Sequence, residues 1–286
     1  MKFGLRYASA GAYGGPDLAV PLAQAAEAVG FESIWTVEHT VVPANYASRY
    51  PYSADGKMAG GQDDVAMPDA LIWLAFVAAA APSLKLGTGV VILPQHNPVI
   101  LAKSVATLDH LSRGRVLLGI GVGWMAEEFA TLGVPFEDRG RRSDEYVDVL
   151  RALWGPGPAS FEGEMVRFAD VWCEPRPPAG RVPILVGGHT KLAARRAGRL
   201  GDGFFPTRGA PWDLVAEARR TAEAAGRDPA ELEITLSVPA DVGELDLYAE
   251  RGVSRVLLPV QSIDDTPAAP SVDEVHRWAD LVAKWP

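Results

Sequence analysis

The sequence predicts an α/β fold, a (β/α)8 TIM barrel, and three observations carry that expectation. Short apolar runs alternate with amphipathic helical stretches about eight times along the chain; such alternation needs crossover connections and hence a parallel sheet, and about eight units favour closure over an open sheet. The length of 286 residues and the 48% hydrophobic content supply one large core, so residues 1–286 read as a single domain. An acid and a histidine, Glu38-His39, follow the apolar run Ser33-Ile34-Trp35-Thr36-Val37, and the carboxyl ends of barrel strands are where such enzymes keep their catalytic residues.

In chain order, Phe3 to Ala8 is the first strand and Gly11 to Gly15 a turn. Leu18, Leu22, Ala25, Ala26 and Val29 fall at helical spacing, and Gly30 stops that helix. Strand two ends at Glu38-His39. Residues Val41 to Met67 form a long polar and aromatic loop with Asn45, Tyr46, Arg49, Tyr50, Tyr52, Lys57, Gly60 and Gly61; a loop of this length is either a lid over a site or a passive insertion. Pro68-Asp69 opens a helix whose apolar run, Ala70 to Ala81, reads as buried and is shorter than the roughly 20 residues that cross a bilayer. Strand three, Lys85 to Leu93, carries Gly87 and Gly89, and glycine inside a strand marks a bulge or a close approach. A helix to Leu111, strand four from Val116 to Ile120 and a helix from Arg139 to Leu153 follow. Between strands four and five lies an insertion, a proline-rich excursion from Gly155 to Pro178. Strands five to eight are Val182 to Val186, Gly203 to Phe205, Leu232 to Val238 and Arg255 to Val260, with helices at Lys191 to Leu200, Leu214 to Ala225, Leu245 to Glu250 and Ser271 to Ala283.

A net charge of -9 excludes a broad basic face for nucleic acid. The N-terminus has no apolar signal core, and the one cysteine, Cys173, forms no internal disulfide, so a cytoplasmic protein with no membrane partner is expected and Cys173 reads as a buried small hydrophobe.

The chemistry-bearing residues gather at predicted strand ends. His39 suits proton transfer near neutral pH. Glu38 is its nearest acid, whereas Glu127 and Glu128 read as first-turn carboxylates favoured by a helix dipole. Gly187-Gly188-His189-Thr190 is either an anion cradle or an ordinary turn: the glycines admit a close backbone approach, Thr190 caps the next helix and that helix's first amides lack partners. Lys191, Arg195 and Arg208 offer positive potential nearby. Gly119, Gly121 and Gly123 do not match the dinucleotide fingerprint. A hydrolase would gather Glu38, His39, His96 and His189 around one metal ion, but no two histidines stand at ligand spacing, so no metal is expected. A flavin-binding protein without catalysis is the other rival.

Across nearly its whole length the chain resembles the luciferase-like monooxygenase superfamily, in particular its branch dependent on coenzyme F420, a 5-deazaflavin. The resemblance is carried by Phe31 to His39, Leu86-Gly87-Thr88-Gly89-Val90, Ala102 to Asp109 with Gly114-Arg115-Val116, Gly121-Val122-Gly123-Trp124 before Glu127-Glu128-Phe129, and Pro183 to Gly188 with Gly201-Asp202-Gly203-Phe204. It implies an oxidoreductase moving a hydride between F420 and a small organic substrate, the alternative being an FMN-dependent monooxygenase fed by a separate reductase. The reduced deazaflavin has carbon at the reactive centre and gives hydride while reacting poorly with oxygen. The resemblance further implies His39 and Glu38 nearest the chemistry, the cofactor against Thr88, Gly89, Val90, Gly121, Gly123, Gly187, Gly188, His189 and Thr190, and a substrate pocket with Tyr46, Tyr50 and Trp124. A non-proline cis peptide at Gly89-Val90 and a homodimer belong to the same expectation. Lys57, Arg49, Lys191 and Arg208 are candidates to meet the acidic tail of F420. Some members have a carboxylate where this chain has Trp124, so their acid role does not transfer.

Overall fold

The computed structural model describes residues 1–53, 55–58, 63–206, 208–260 and 270–285. Its strands are β1 (Lys2–Arg6), β2 (Ser33–Thr36), β3 (Lys85–Thr88), β4 (Val91–Ile92), β5 (Val116–Gly121), β6 (Ala159–Glu162), β7 (Arg167–Val171), β8 (Ile184–Gly187), β9 (Gly203–Phe205), β10 (Glu233–Ser237) and β11 (Arg255–Pro259). Nine of them form one parallel sheet in the order β3-β2-β1-β11-β10-β9-β8-β5-β4, and pairing of β3 with β5 closes it. With β3 and β4 counted as one broken stave, this is an eight-stave TIM-type barrel. The break lies at Gly89-Val90, whose peptide is cis, so the single third strand expected from the sequence is two short ones. Between the fourth and fifth staves, β6 and β7 pair as an antiparallel hairpin.

The helices are α1 (Pro16–Val29), α2 (Ala70–Ala78), α3 (Pro98–Leu111), α4 (Ala126–Thr131), α5 (Arg139–Trp154), α6 (Lys191–Leu200), α7 (Trp212–Ala224), α8 (Leu245–Glu250) and α9 (Ala279–Ala283). Local chemistry sets their ends. Gly30 ends α1 at φ +97°, a left-handed position that costs glycine nothing. Asp69 caps α2 by accepting from Leu71 N and Ile72 N, and Thr190 caps α6 by accepting from Ala193 N. Three expectations need correction. The helix α2 is not buried all round: Ile72 is 71% and Phe76 55% exposed, because an entirely apolar segment gives no period from which to read its outer face. The C-terminal segment is mostly 3-10, Val272–Trp278, with only α9 truly α-helical. Cys173 is half-buried, packed beside the hairpin and not sealed in the core. Gly60 and Gly61 of the long loop lie outside the described residues. Among the described residues no helix is long and apolar enough to cross a membrane.

The barrel interior is filled by size compensation. Trp35, Leu117, Leu185, Phe205 and Leu257 form a lumen cluster apart from the core between sheet and helices. Trp35 occupies space left by two glycines: a Cβ on Gly4 would stand 2.6 Å from its Nε1, and one on Gly87 would run into its ring. Its Nε1 donates to Ser33 Oγ at 2.8 Å. Below it, Arg255, 0% exposed, donates to both oxygens of Glu32 at 2.8 and 3.0 Å and to Glu233 at 3.2 Å, so the amino end of the barrel is plugged by ions. Chemistry is thereby confined to the opposite, carboxyl end.

Candidate active site

His39 lies just past β2, at the carboxyl mouth. Its Nδ1 is 2.9 Å from Glu128 Oε2. Glu128 opens α4 and is 0% exposed; its other oxygen accepts from Thr40 N at 2.7 Å and Val41 N at 3.3 Å. Burial pushes the Glu128 carboxyl up, but the hydrogen bond and charge of His39 and the amides outweigh it, so its pKa is lowered and it is ionised. A carboxylate only accepts, so Nδ1 carries the hydrogen, and whenever the ring gives up its second proton it is Nε2 that presents the lone pair. This is the base-and-orienter arrangement of general acid–base sites.

Glu38, expected as the acid of His39, is turned the other way. Its Oε2 accepts from Ile92 N at 2.5 Å, and both its oxygens lie 3.1 Å from His96 Nε2. Burial lowers the pKa of His96, and the bond and charge of Glu38 more than restore it, so His96 is shifted upward. Glu38 therefore anchors the break in the third stave instead of acting with His39. Adjacent residues past a strand point apart, and the acid that meets His39 comes from α4. Glu127, also read as a mere first-turn carboxylate, accepts from Ala47 N at 2.7 Å and Ser48 N at 3.0 Å. The side-chain hydrogen bond of Ser48 is the largest of the effects that lower its pKa to about 2, with these amides adding to it.

The expected pocket aromatics do assemble. Trp124 makes edge contacts with His39 at 5.9 Å, Tyr46 at 5.6 Å and Tyr50 at 5.2 Å, and Tyr50 meets Tyr52 at 5.2 Å. Tyr46 packs with Met58 and Met125 as a small core of its own under the loop.

The opposite wall of the mouth is made of small residues. A Cβ on Gly121 would stand 2.6 Å from Val90 Cγ2, and one on Gly187 2.7 Å from Val90 Cγ1. Gly123 at φ +78° and Gly188 at φ +123° are bound to glycine by conformation. His189 follows with a buried Nδ1 that has no partner among the described residues, and the buried amide of Gln95, missed from the sequence, stands beside Glu128 and helps to lower its pKa. The Thr88 side chain is turned into the barrel, where its hydroxyl donates to Gly119 O at 2.8 Å and the residue is fully buried. Of the cations, Lys57 lies over the Tyr46 ring at 4.5 Å, Arg195 is paired with Glu217 at 2.6 Å, and Lys191 and Arg208 are exposed. The residues of the metal alternative are not brought together: His39 and His96 are paired with different glutamates, and among the described residues no group of three His, Cys, Asp or Glu could hold an ion.

Comparison with known proteins agrees with this architecture. The family described as luciferase-like monooxygenase matches residues 3–283. An uncharacterized protein of Mycobacterium tuberculosis is 36% identical over 256 residues, covering 86% of this chain and 89% of that protein. The F420-dependent glucose-6-phosphate dehydrogenase of Amycolatopsis mediterranei is 32% identical over 293 residues, covering 98% of this chain and 81% of that enzyme. Among solved structures, the monooxygenase RslO1 from Streptomyces bottropensis superposes over 100% of both chains with a TM-score of 0.76 at 24% identity, a likeness of fold. A barrel with its histidine–carboxylate pair and glycine wall at the carboxyl mouth, matched from residue 3 to residue 283, belongs to the luciferase-like monooxygenase family.

Proposed function

We propose that the chain is an oxidoreductase that uses coenzyme F420 to move a hydride to or from a small organic substrate at the carboxyl mouth of the barrel. The observation that carries this reading is the buried Glu128–His39 pair facing a wall of glycines; the F420-dependent relative at 32% identity supports the choice of cofactor. The wall suits a flat ring system, since Gly121 and Gly187 carry no side chain and a Cβ on either would run into Val90. The cofactor supplies a ring carbon that accepts or returns hydride.

Everything else falls to the chain. Gly187, Gly188 and the first amides of α6 meet an anionic group, and the unpaired Nδ1 of His189 is a polar contact for the same part of the ligand. Trp124, Tyr46 and Tyr50 exclude water and offer flat apolar faces to the substrate. His39 Nε2 takes a proton from a substrate hydroxyl, or returns one to a carbonyl oxygen, while Glu128 keeps Nδ1–H in place.

The test is a fluorescence titration of the cofactor-free protein with F420 and with FMN, at low and at moderate salt. A preference for F420 that weakens with salt is expected, because its tail carries charges that FMN lacks. Tight FMN binding with no measurable F420 binding overturns the reading.

A further inference from the structure

Arg6 is a cation inside the barrel, and parity places it there. In parallel strands, paired residues face the same side, and side chains two apart share a face. Leu257 is in the lumen cluster; Gly4 pairs with it from β1 and Ser237 from β10. Arg6, two residues beyond Gly4 at the last position of β1, therefore projects into the lumen one layer nearer the mouth. Its contacts agree: Nη1 donates to Ser237 Oγ at 2.5 Å, Nη2 donates to the Tyr7 hydroxyl, and the guanidinium lies 4.0 Å from the Tyr7 ring centroid.

All these partners are neutral. Among the described residues no carboxylate forms an ion pair with Arg6, whereas the other lumen arginine, Arg255, has Glu32 and Glu233. Burial lowers the pKa of Arg6 to about 10, and Tyr50 is the one group acting against that. A half-buried guanidinium whose hydrogen-bond partners are neutral hydroxyls is placed to receive an anion. Tyr7 supports a built site: it stands at φ +64°, a left-handed conformation uncommon for a tyrosine, and this places its ring against the guanidinium.

The position of Arg6 also connects it to the site already described. Tyr50 lies within electrostatic reach of Arg6 and Arg208 and packs on Trp124, which packs on His39. We propose that Arg6, with Ser237 and Tyr7, binds an anionic group of the substrate, a carboxylate or a phosphate, and so orients the reacting end toward His39. The substrate class is then a small organic anion. Arg is suited to this because its planar fork meets two oxygens at once.

The proposal rests on the mouth being the active site, but its test needs neither cofactor nor turnover. Acetate and inorganic phosphate are titrated separately into cofactor-free protein at constant ionic strength, reading tryptophan fluorescence and melting temperature. Saturable binding of at least one anion is expected, lost in Arg6→Met, with the better anion naming the group. Arg6→Lys, which keeps the charge and loses the fork, is expected to bind at least five-fold more weakly with an unchanged circular dichroism spectrum, and it answers the question if Arg6→Met does not fold. No saturable binding by the unaltered chain, or equal affinity in the Arg6 variants, overturns the proposal; the latter result places the anion at Gly187-Gly188 instead.

Discussion

Replacing Glu128 with glutamine separates its two jobs, and the outcome follows from the donors around it. Oε1 faces two backbone N–H groups, of Thr40 and Val41, at 2.7 and 3.3 Å, and Oε2 faces His39 Nδ1 at 2.9 Å. Two donors fix the oxygen of the introduced amide on the backbone side, so its NH2 is left facing Nδ1. A donor cannot meet a donor, and the ring must move its hydrogen to Nε2. Glu128→Gln thus inverts the tautomer of His39 while keeping the loop attached. In stability it exchanges one charge-assisted bond of about 1.5–3 kcal/mol for a neutral one of about 0.5–1.5, a net loss of about 1–2 kcal/mol. Glu128→Ala instead removes the acceptor of all three donors; Thr40 and Val41 are exposed, so water reaches their amides, and the loss expected is that of the buried contact to His39, about 1–3 kcal/mol. Urea unfolding reads the stabilities. Long-range nitrogen–proton NMR reads the tautomer, the chain having five histidines and His39→Gln assigning the signal. On the proposed function, the inverted ring lacks the lone pair at Nε2 and turnover falls roughly 10²-fold or more. An unchanged His39 tautomer in Glu128→Gln would refute the reasoning, whatever the activity.

Two further outcomes are expected. Glu32 has its pKa lowered from 4.5 to about 2, burial opposing and Arg255 dominating the balance, and its side chain is 21% exposed. A depressed carboxylate contributes stability above its unfolded pKa and loses it as pH falls through the folded value. At about 1.4 kcal/mol per pH unit the contribution is about 3 kcal/mol, present near neutrality and lost between about pH 4.5 and 2, so in Glu32→Gln urea unfolding should find it missing at pH 7 and the acid dependence flattened. Gly121→Ala drives a Cβ against Val90 alone, at 2.6 Å; a loss of about 1–3 kcal/mol is expected, largely recovered in Gly121→Ala with Val90→Ala, and a melting-temperature cycle showing no coupling would refute the contact.

What the sequence disclosed was local, and what it concealed depended on residues far apart. Gly30 and Thr190 announce a helix end and a helix start through φ and a hydroxyl, both properties of a few neighbouring residues. Glycines in Lys85 to Leu93 signalled irregularity at the point where the stave breaks. The partner of His39, by contrast, is 89 positions away, and adjacency in sequence favoured Glu38. Two consecutive glutamates opening a helix look alike in sequence, yet Glu127 holds the loop at Ala47 and Ser48 while Glu128 holds the histidine. Trp35 in a strand reads as core; that Gly4 and Gly87 make room for it emerges only when three strands lie side by side. Arg6 at the end of an apolar run was indistinguishable from a solvated strand end until the register turned it inward.

The clamp formed by these two glutamates bears on what the long loop after β2 can do. Its first turn is tied through Thr40, Val41, Ala47 and Ser48 to the start of α4, and Ser48 Oγ in return accepts from Ala126 N at 3.1 Å. The same helix holds His39. Attachment at both places means that a movement of the loop beyond Ser48, at the segment bearing Tyr50 and Tyr52, would leave His39 in position. Such a division suits a site whose polar group must be preorganised while its apolar cover admits a ligand. It also assigns Tyr50 a particular place. That ring packs on Trp124 and lies within electrostatic reach of Arg6, so on the proposed function it stands between His39 and the half-buried Arg6 guanidinium, the two groups that a small anion with a reacting carbon would span.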